Sequence, residues 1–191
     1  MRTSLPLLIL LSASPLAAQM PQSDSARLVV TQDGRPVGTE DFAFRTAPGR
    51  DGEVVTSFVA TTSGSTEPMR VAASVGQRRL TVRVAVGDRE AAREYPGGPA
   101  TLVADERVLS LFALAAGIPP GAVTVYGPPP NGRRPGNIER GSAALPGGGA
   151  SRHVILRSGE DVVNIWYDGE GRLLRVEIPS RRLSGERVTG Q

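Results

Sequence analysis

The chain has a single histidine and no cysteine, so a search for reactive groups starts at His153. Ser151 and Arg157 lie close to it in sequence. A serine hydrolase needs a nucleophile on a sharp elbow, an imidazole to take its proton and a carboxylate to orient the ring. No G-x-S-x-G is present, and a lone histidine near the start of a strand supplies only one of those parts. A hydrolase acting through His153 and a carboxylate is therefore kept only as an alternative, and the expectation is that the protein is not an enzyme. Glu40-Asp41 and Glu160-Asp161 are adjacent pairs, which on strands project to opposite faces. They read as solvated charges, whereas glycosidases need facing carboxyl groups about 5 to 9 Å apart. Without cysteine there is no thiol nucleophile, disulfide, iron–sulfur cluster or cysteine-ligated zinc, and one histidine cannot build a multi-histidine zinc site. No cofactor or metal is expected.

Groups for binding anions are also sparse. Gly147, Gly148 and Gly149 precede a strand rather than open a helix, so their amides do not converge on a phosphate. All 22 basic residues are arginine against 19 acids, so the pI near 10.1 reflects missing lysine and implies no polyanion-binding field. Arg78-Arg79, Arg133-Arg134 and Arg181-Arg182 offer planar forks to anionic headgroups, although scattered surface arginine explains them as well. With aromatic residues at 4%, a base-stacking platform is missing and no nucleic-acid partner is expected.

The elements that position these groups begin after a leader. Arg2, an apolar run over residues 5–16 and the small residues Ala17 and Ala18 read as a secretory signal peptide, residues 1–19. No later run approaches the roughly 20 apolar residues of a membrane helix. The mature protein is expected to be exported, periplasmic if the cell has an outer membrane and otherwise extracellular. Residues 20–180 read as one domain, and residues 181–191 as a polar C-terminal tail.

That domain reads as an antiparallel meander. Asp33-Gly34 marks a first hairpin, with Arg35-Pro36 expected to lengthen its connection. Met69, Val71, Ala73 and Val75, then Leu80, Val82, Val84 and Val86, alternate with polar residues, so each strand has one buried face. Residues 105–116 read as an α-helix, capped by Asp105 and stopped by Gly117 before Pro119-Pro120. Val108, Leu109, Leu111, Phe112, Leu114 and Ala115 cover most of its circumference, as in a buried helix. Residues 127–136 are too rich in proline and glycine for regular structure, and further strands follow at residues 137–143, 153–158, 161–168 and 172–178.

The predicted fold class is mainly β: a strongly curved antiparallel sheet, a half-barrel, with one central α-helix packed on its concave face. Such a sheet carries more apolar side chains on one face than one helix covers, and must close, split or bind something. Candidate ligand-binding residues are Phe42, Phe44, Phe58, Met69, Val71, Leu80, Val82, Val84, Phe112 and Trp166; each also fits an ordinary solid core. Asn164 shares the side of Trp166, which marks a rim.

The leader, the Asp33-Gly34 hairpin, the mid-chain helix and the closing hairpin over residues 163–177, where an aromatic and Asp168 precede a glycine turn, resemble the half-barrel superfamily of exported bacterial proteins that includes the LolA-type periplasmic lipoprotein carriers. The resemblance implies a bent sheet whose concave side holds acyl chains or another apolar molecule. With one clear helix rather than several, the chain departs from those carriers, and lipoprotein shuttling is not carried over. The expected function is non-catalytic binding of an apolar or amphipathic envelope molecule, a lipid or glycolipid. The alternative is a structural or interaction role, with a filled core and an envelope protein as partner.

Overall fold

Strand pairing starts at a two-residue turn. In the computed structural model, which describes residues 23–49, 52–64, 67–130, 132–149 and 151–188, Asp33 and Gly34 take φ of 52° and 76°. Gln32 then pairs directly with Arg35, so the longer connection expected at Arg35-Pro36 does not form. A register shift between Val30 and Thr31 takes up the extra residue, Val37, as a bulge in the second strand. The signal peptide read at residues 1–19, and residues 189–191 of the tail, lie outside the described residues.

The strands are β1 (Ser23–Gln32), β2 (Arg35–Pro48), β3 (Val54–Gly64), β4 (Met69–Val75), β5 (Arg79–Val86), β6 (Arg89–Pro96), β7 (Thr101–Val103), β8 (Gly121–Tyr126), β9 (Arg133–Arg140), β10 (Arg152–Ser158), β11 (Asp161–Tyr167), β12 (Leu173–Ile178) and β13 (Leu183–Arg187). They form one curved, unclosed sheet of 13 strands in the order β6-β5-β4-β3-β2-β1-β13-β12-β11-β10-β9-β8-β7. Every pairing is antiparallel except β7 with β8. Going round this order the strands run in sequence, with a seam where β6 and β7 do not pair.

The connectivity itself forces the curvature. Laid flat at about 4.8 Å per strand, the sheet would place β6 and β7 roughly 58 Å apart. The short link between Pro96 and Thr101 reaches at most about 17 Å. The two edges must therefore swing toward each other. Tyr95 of β6 stacks on Tyr126 of β8 with ring centroids 4.4 Å apart, and its hydroxyl donates to the Gly127 carbonyl at 3.1 Å. Side chains thus tie the seam, which among the described residues no backbone ladder closes.

Three expectations are corrected. The tail beginning at residue 181 contains β13, which sits between β1 and β12; Gly185 lets Leu109 and Leu28 approach its backbone, and Arg187 pairs with the buried Asp24 at 2.7 Å. The stretch read as irregular, residues 127–136, contributes Arg133 to Gly136 to β9, paired with β8. The mid-chain helix is not an α-helix opening at Asp105: Asp105 bridges to Val108, and a 3-10 helical segment spans Leu109–Gly117. Nine residues in 3-10 form reach about 18 Å, against about 13 Å as α-helix. The longer form suits a segment fastened to the sheet at both ends, as shown below.

Alternation places Phe42, Phe44, Phe58, Val71, Leu80 and Val82 on the same face as Leu28, Ile165, Tyr167 and Val176, in one continuous core. Residues Leu109 to Ala116 of the helical segment are all buried in it, as their all-round apolar character requires. Each such fully buried large side chain stabilises the fold by about 1.5–3 kcal/mol. Exposed ion pairs such as Arg27–Asp41 are screened by water and add little.

Candidate functional site

Side chains from three strands hold the helical segment. At its start, Glu40 of β2 accepts the amides of Leu109 and Ser110, at 2.8 and 2.7 Å. In its middle the Tyr167 hydroxyl donates to the Phe112 carbonyl at 2.6 Å. At its end Arg152 donates to the Ala116 carbonyl at 3.0 Å while its guanidinium lies over the Tyr167 ring, 5.0 Å from the centroid. A carboxylate at the amino end and a cation at the carboxyl end both oppose the segment's dipole favourably. Glu40 is only 2% exposed. Burial pushes its carboxyl above the usual carboxylate range against the pull of the two amides, and Asp105 pushes the same way as burial. The reading of Glu40 as a solvated charge is thus corrected, whereas Asp41 on the other face of β2 is exposed and paired with Arg27.

Beside this capped end lies an open cleft of about 500 Å³. Val30, Met69, Val86 and Leu183 give it an apolar floor, Glu40 stands in its wall, and Glu67, Glu106, Arg107 and Arg181 supply charges. The rim is cross-linked: Arg107 pairs with Asp105 at 2.9 Å, and Arg181 with Glu106 at 2.7 Å and with Asp161 at 3.4 Å. The floor strands reach this point because β5, β4, β3, β2, β1 and β13 are successive neighbours in the sheet. An apolar surface beside fixed charges, in a concavity of this size, is the usual form of a small-molecule site.

No family model, curated protein or solved structure matches the chain.

Of the ligand-binding candidates, only Met69 lines the cleft. Phe42, Phe44, Phe58, Val71, Leu80, Val82, Val84 and Phe112 are buried in the continuous core, where neighbouring side chains fill the space beside them. Trp166 belongs neither to the cleft lining nor to the continuous core: as the alternation predicts, it stands on the opposite face of β11 from Val163, Ile165 and Tyr167. Its ring stacks on His153 at 4.8 Å, and its indole N–H donates to the Ala143 carbonyl at 3.2 Å. The cleft residues missed by sequence reasoning are Val30, Val37, Val86 and Leu183 for the floor, and Glu40 and Arg107 for the charges, whereas Arg181 belongs to one of the arginine pairs that offer forks to anionic headgroups. Val86 carried a signal, since it continues the alternation of Leu80, Val82 and Val84.

His153 is buried in β10, an interior strand flanked by β9 and β11. Its Nδ1 accepts the Ala143 amide at 3.1 Å, which leaves the proton on Nε2 to be donated to Asn164 Oδ1, also at 3.1 Å. Both ring nitrogens are engaged, and neither meets a carboxylate. A Cβ at position 141 would collide with the imidazole, so Gly141 allows the segment that follows β9 to close over it.

Proposed function

We propose that the protein binds an amphipathic molecule without catalysing its conversion. The observation that carries this reading is the open cleft of about 500 Å³ with Val30, Met69, Val86 and Leu183 as floor and charged residues as rim. The deeper apolar face is occupied by the core and by the helical segment, so the ligand lies at the mouth of the sheet rather than within it. We read the curled sheet with its internal helical segment as a half-barrel, the segment on the concave side, of the kind the LolA-like resemblance implies. On that reading the protein is exported, and its ligand is an envelope lipid or glycolipid. Among the described residues no helix is long and apolar enough to cross a membrane.

A second reading, protein interaction, draws on the same filled core and on β6, an unpaired edge whose residues are nearly all exposed. Native mass spectrometry of protein isolated from its own envelope, followed by solvent extraction, separates the two. The expected result is a co-purifying amphiphile that is lost when Val86→Trp fills the cleft. Recovery of bare protein together with a stoichiometric protein partner would reject ligand binding.

A further inference from the structure

The apolar cleft has a polar neighbour. A second cleft, about 320 Å³, shares the Arg181–Glu106 pair with the first and is completed by Ala104, Asp105, Gly127, Gly132, Arg133 and Arg134. Its two acids are already matched, Asp105 by Arg107 and Glu106 by Arg181. Arg181 also reaches Asp161. Arg133 and Arg134 form no ion pair among the described residues. They do not hang from a loop. Arg133 pairs in register with Tyr126 and Arg134 with Val125; as neighbours on a strand their side chains leave it on opposite faces, and at this first end of β9 both border the cleft, Arg133 bordering a further one with Thr124 and Pro135 as well.

Two unmatched guanidinium groups that border the cleft from the two faces of one strand end, and are separated from an apolar floor by one ion pair, have the form of a headgroup site. Building on the amphiphile reading above, we infer that the ligand carries an anionic headgroup, a carboxylate, phosphate or sulfate, held by Arg133 and Arg134. Its apolar portion crosses the Arg181–Glu106 pair into the larger cleft. Each guanidinium presents a planar pair of N–H donors that fits such an oxyanion bidentately. The internally matched acids leave the second cleft with a positive excess, which disfavours a cationic headgroup.

The test is calorimetric titration of protein purified from its own cells, below micelle-forming concentrations, with four probes: dodecyl phosphate, dodecyl maltoside, dodecyltrimethylammonium and inorganic phosphate. Dodecyl phosphate is expected to bind most tightly. Replacing both arginines (Arg133→Ser with Arg134→Ser) should weaken it at least about tenfold and leave dodecyl maltoside unchanged, with thermal unfolding at the wild-type temperature showing that the variant is folded. Equal affinity for the three dodecyl probes, or a phosphate preference that survives in the double variant, overturns the headgroup assignment while the cleft reading stands. Inorganic phosphate binding as tightly as dodecyl phosphate overturns it in favour of a free-anion site. If no dodecyl probe binds, the cleft reading falls and the headgroup falls with it.

Discussion

Glu40 Oε2 accepts the amide of Ser110 at 2.7 Å, joining residues 70 positions apart. With the Leu109 amide on its other oxygen, this carboxylate does for a distant helical segment what a local cap does for an ordinary helix. Glu40→Ala leaves two buried amides without an acceptor and is expected to cost about 2–4 kcal/mol, read as a lower urea midpoint at unchanged slope. Glu40→Gln keeps one acceptor oxygen and is expected to cost less than Glu40→Ala.

The same residue makes stability depend on pH. Burial raises the folded-state pKa of Glu40 above its ordinary value of 4.5, so the folded chain holds this proton more tightly than the unfolded chain. Its contribution is fully present below about pH 4.5 and is lost as pH rises through the folded-state value. Urea unfolding across this range is expected to show wild type losing stability relative to Glu40→Gln, whose amide does not titrate. A difference that stays constant with pH would refute the assignment.

Period-two alternation is a local signal, and it was legible. It assigned Phe42, Phe58, Val71 and Leu80 to the buried face; Glu40 has the same parity as Phe42 and Phe44, but a carboxylate beside Asp41 reads as a solvated charge. The amides that explain a carboxylate in that position lie far along the chain, beyond any sequence window. For β13 the reason is similar. Its residues look polar because much of what holds them is the pairing offered by β1 and β12, together with the Arg187–Asp24 contact. The all-round apolar character of residues 109–116 identified a buried helical segment, but 3-10 or α form depends on tethers from β2, β11 and β10, which the segment's own residues do not contain. The cleft was illegible for a related reason: it is bounded by the ends of strands, where alternation stops and loop placement takes over.

Tyr167 is the middle tether. Its hydroxyl donates to the Phe112 carbonyl at 2.6 Å, and burial pushes its pKa well above the ordinary phenol value, against the nearby charge of Arg152. Tyr167→Phe removes this bond between β11 and the helical segment and is expected to destabilise the protein by about 0.5–1.5 kcal/mol. Above the ordinary tyrosine pKa of 10.0 the unfolded chain ionises this phenol while the folded chain does not. Stability should therefore fall as pH rises past that point, and more steeply in wild type than in Tyr167→Phe, as followed by thermal unfolding.

The chain's one tryptophan reports on the face opposite the core. Because Trp166 stacks on His153 and bonds to Ala143, an amphiphile in the cleft is expected to leave its emission unchanged. His153→Ala removes the stacked ring and the acceptor for the Ala143 amide; a red shift and a loss of about 1–3 kcal/mol are expected. Emission that shifts on ligand binding in wild type would move the site to the Trp166 face.

The seam between β6 and β7 gives the last prediction. The curl of the sheet brings β6 near β8, but among the described residues no backbone ladder joins the two edges, and the Tyr95–Tyr126 stack with the Tyr95–Gly127 bond fastens them. Tyr95→Ala removes both contacts from a strand that is otherwise exposed and paired on one side only. Such an edge opens locally at low cost, without unfolding the core. Hydrogen exchange should therefore accelerate in β6, about tenfold or more for a loss of about 1.4 kcal/mol, while amides of β1 and β13 keep their protection. Equal acceleration in β13 would mean that the seam is part of the cooperative core, with the two halves of the sheet unfolding together.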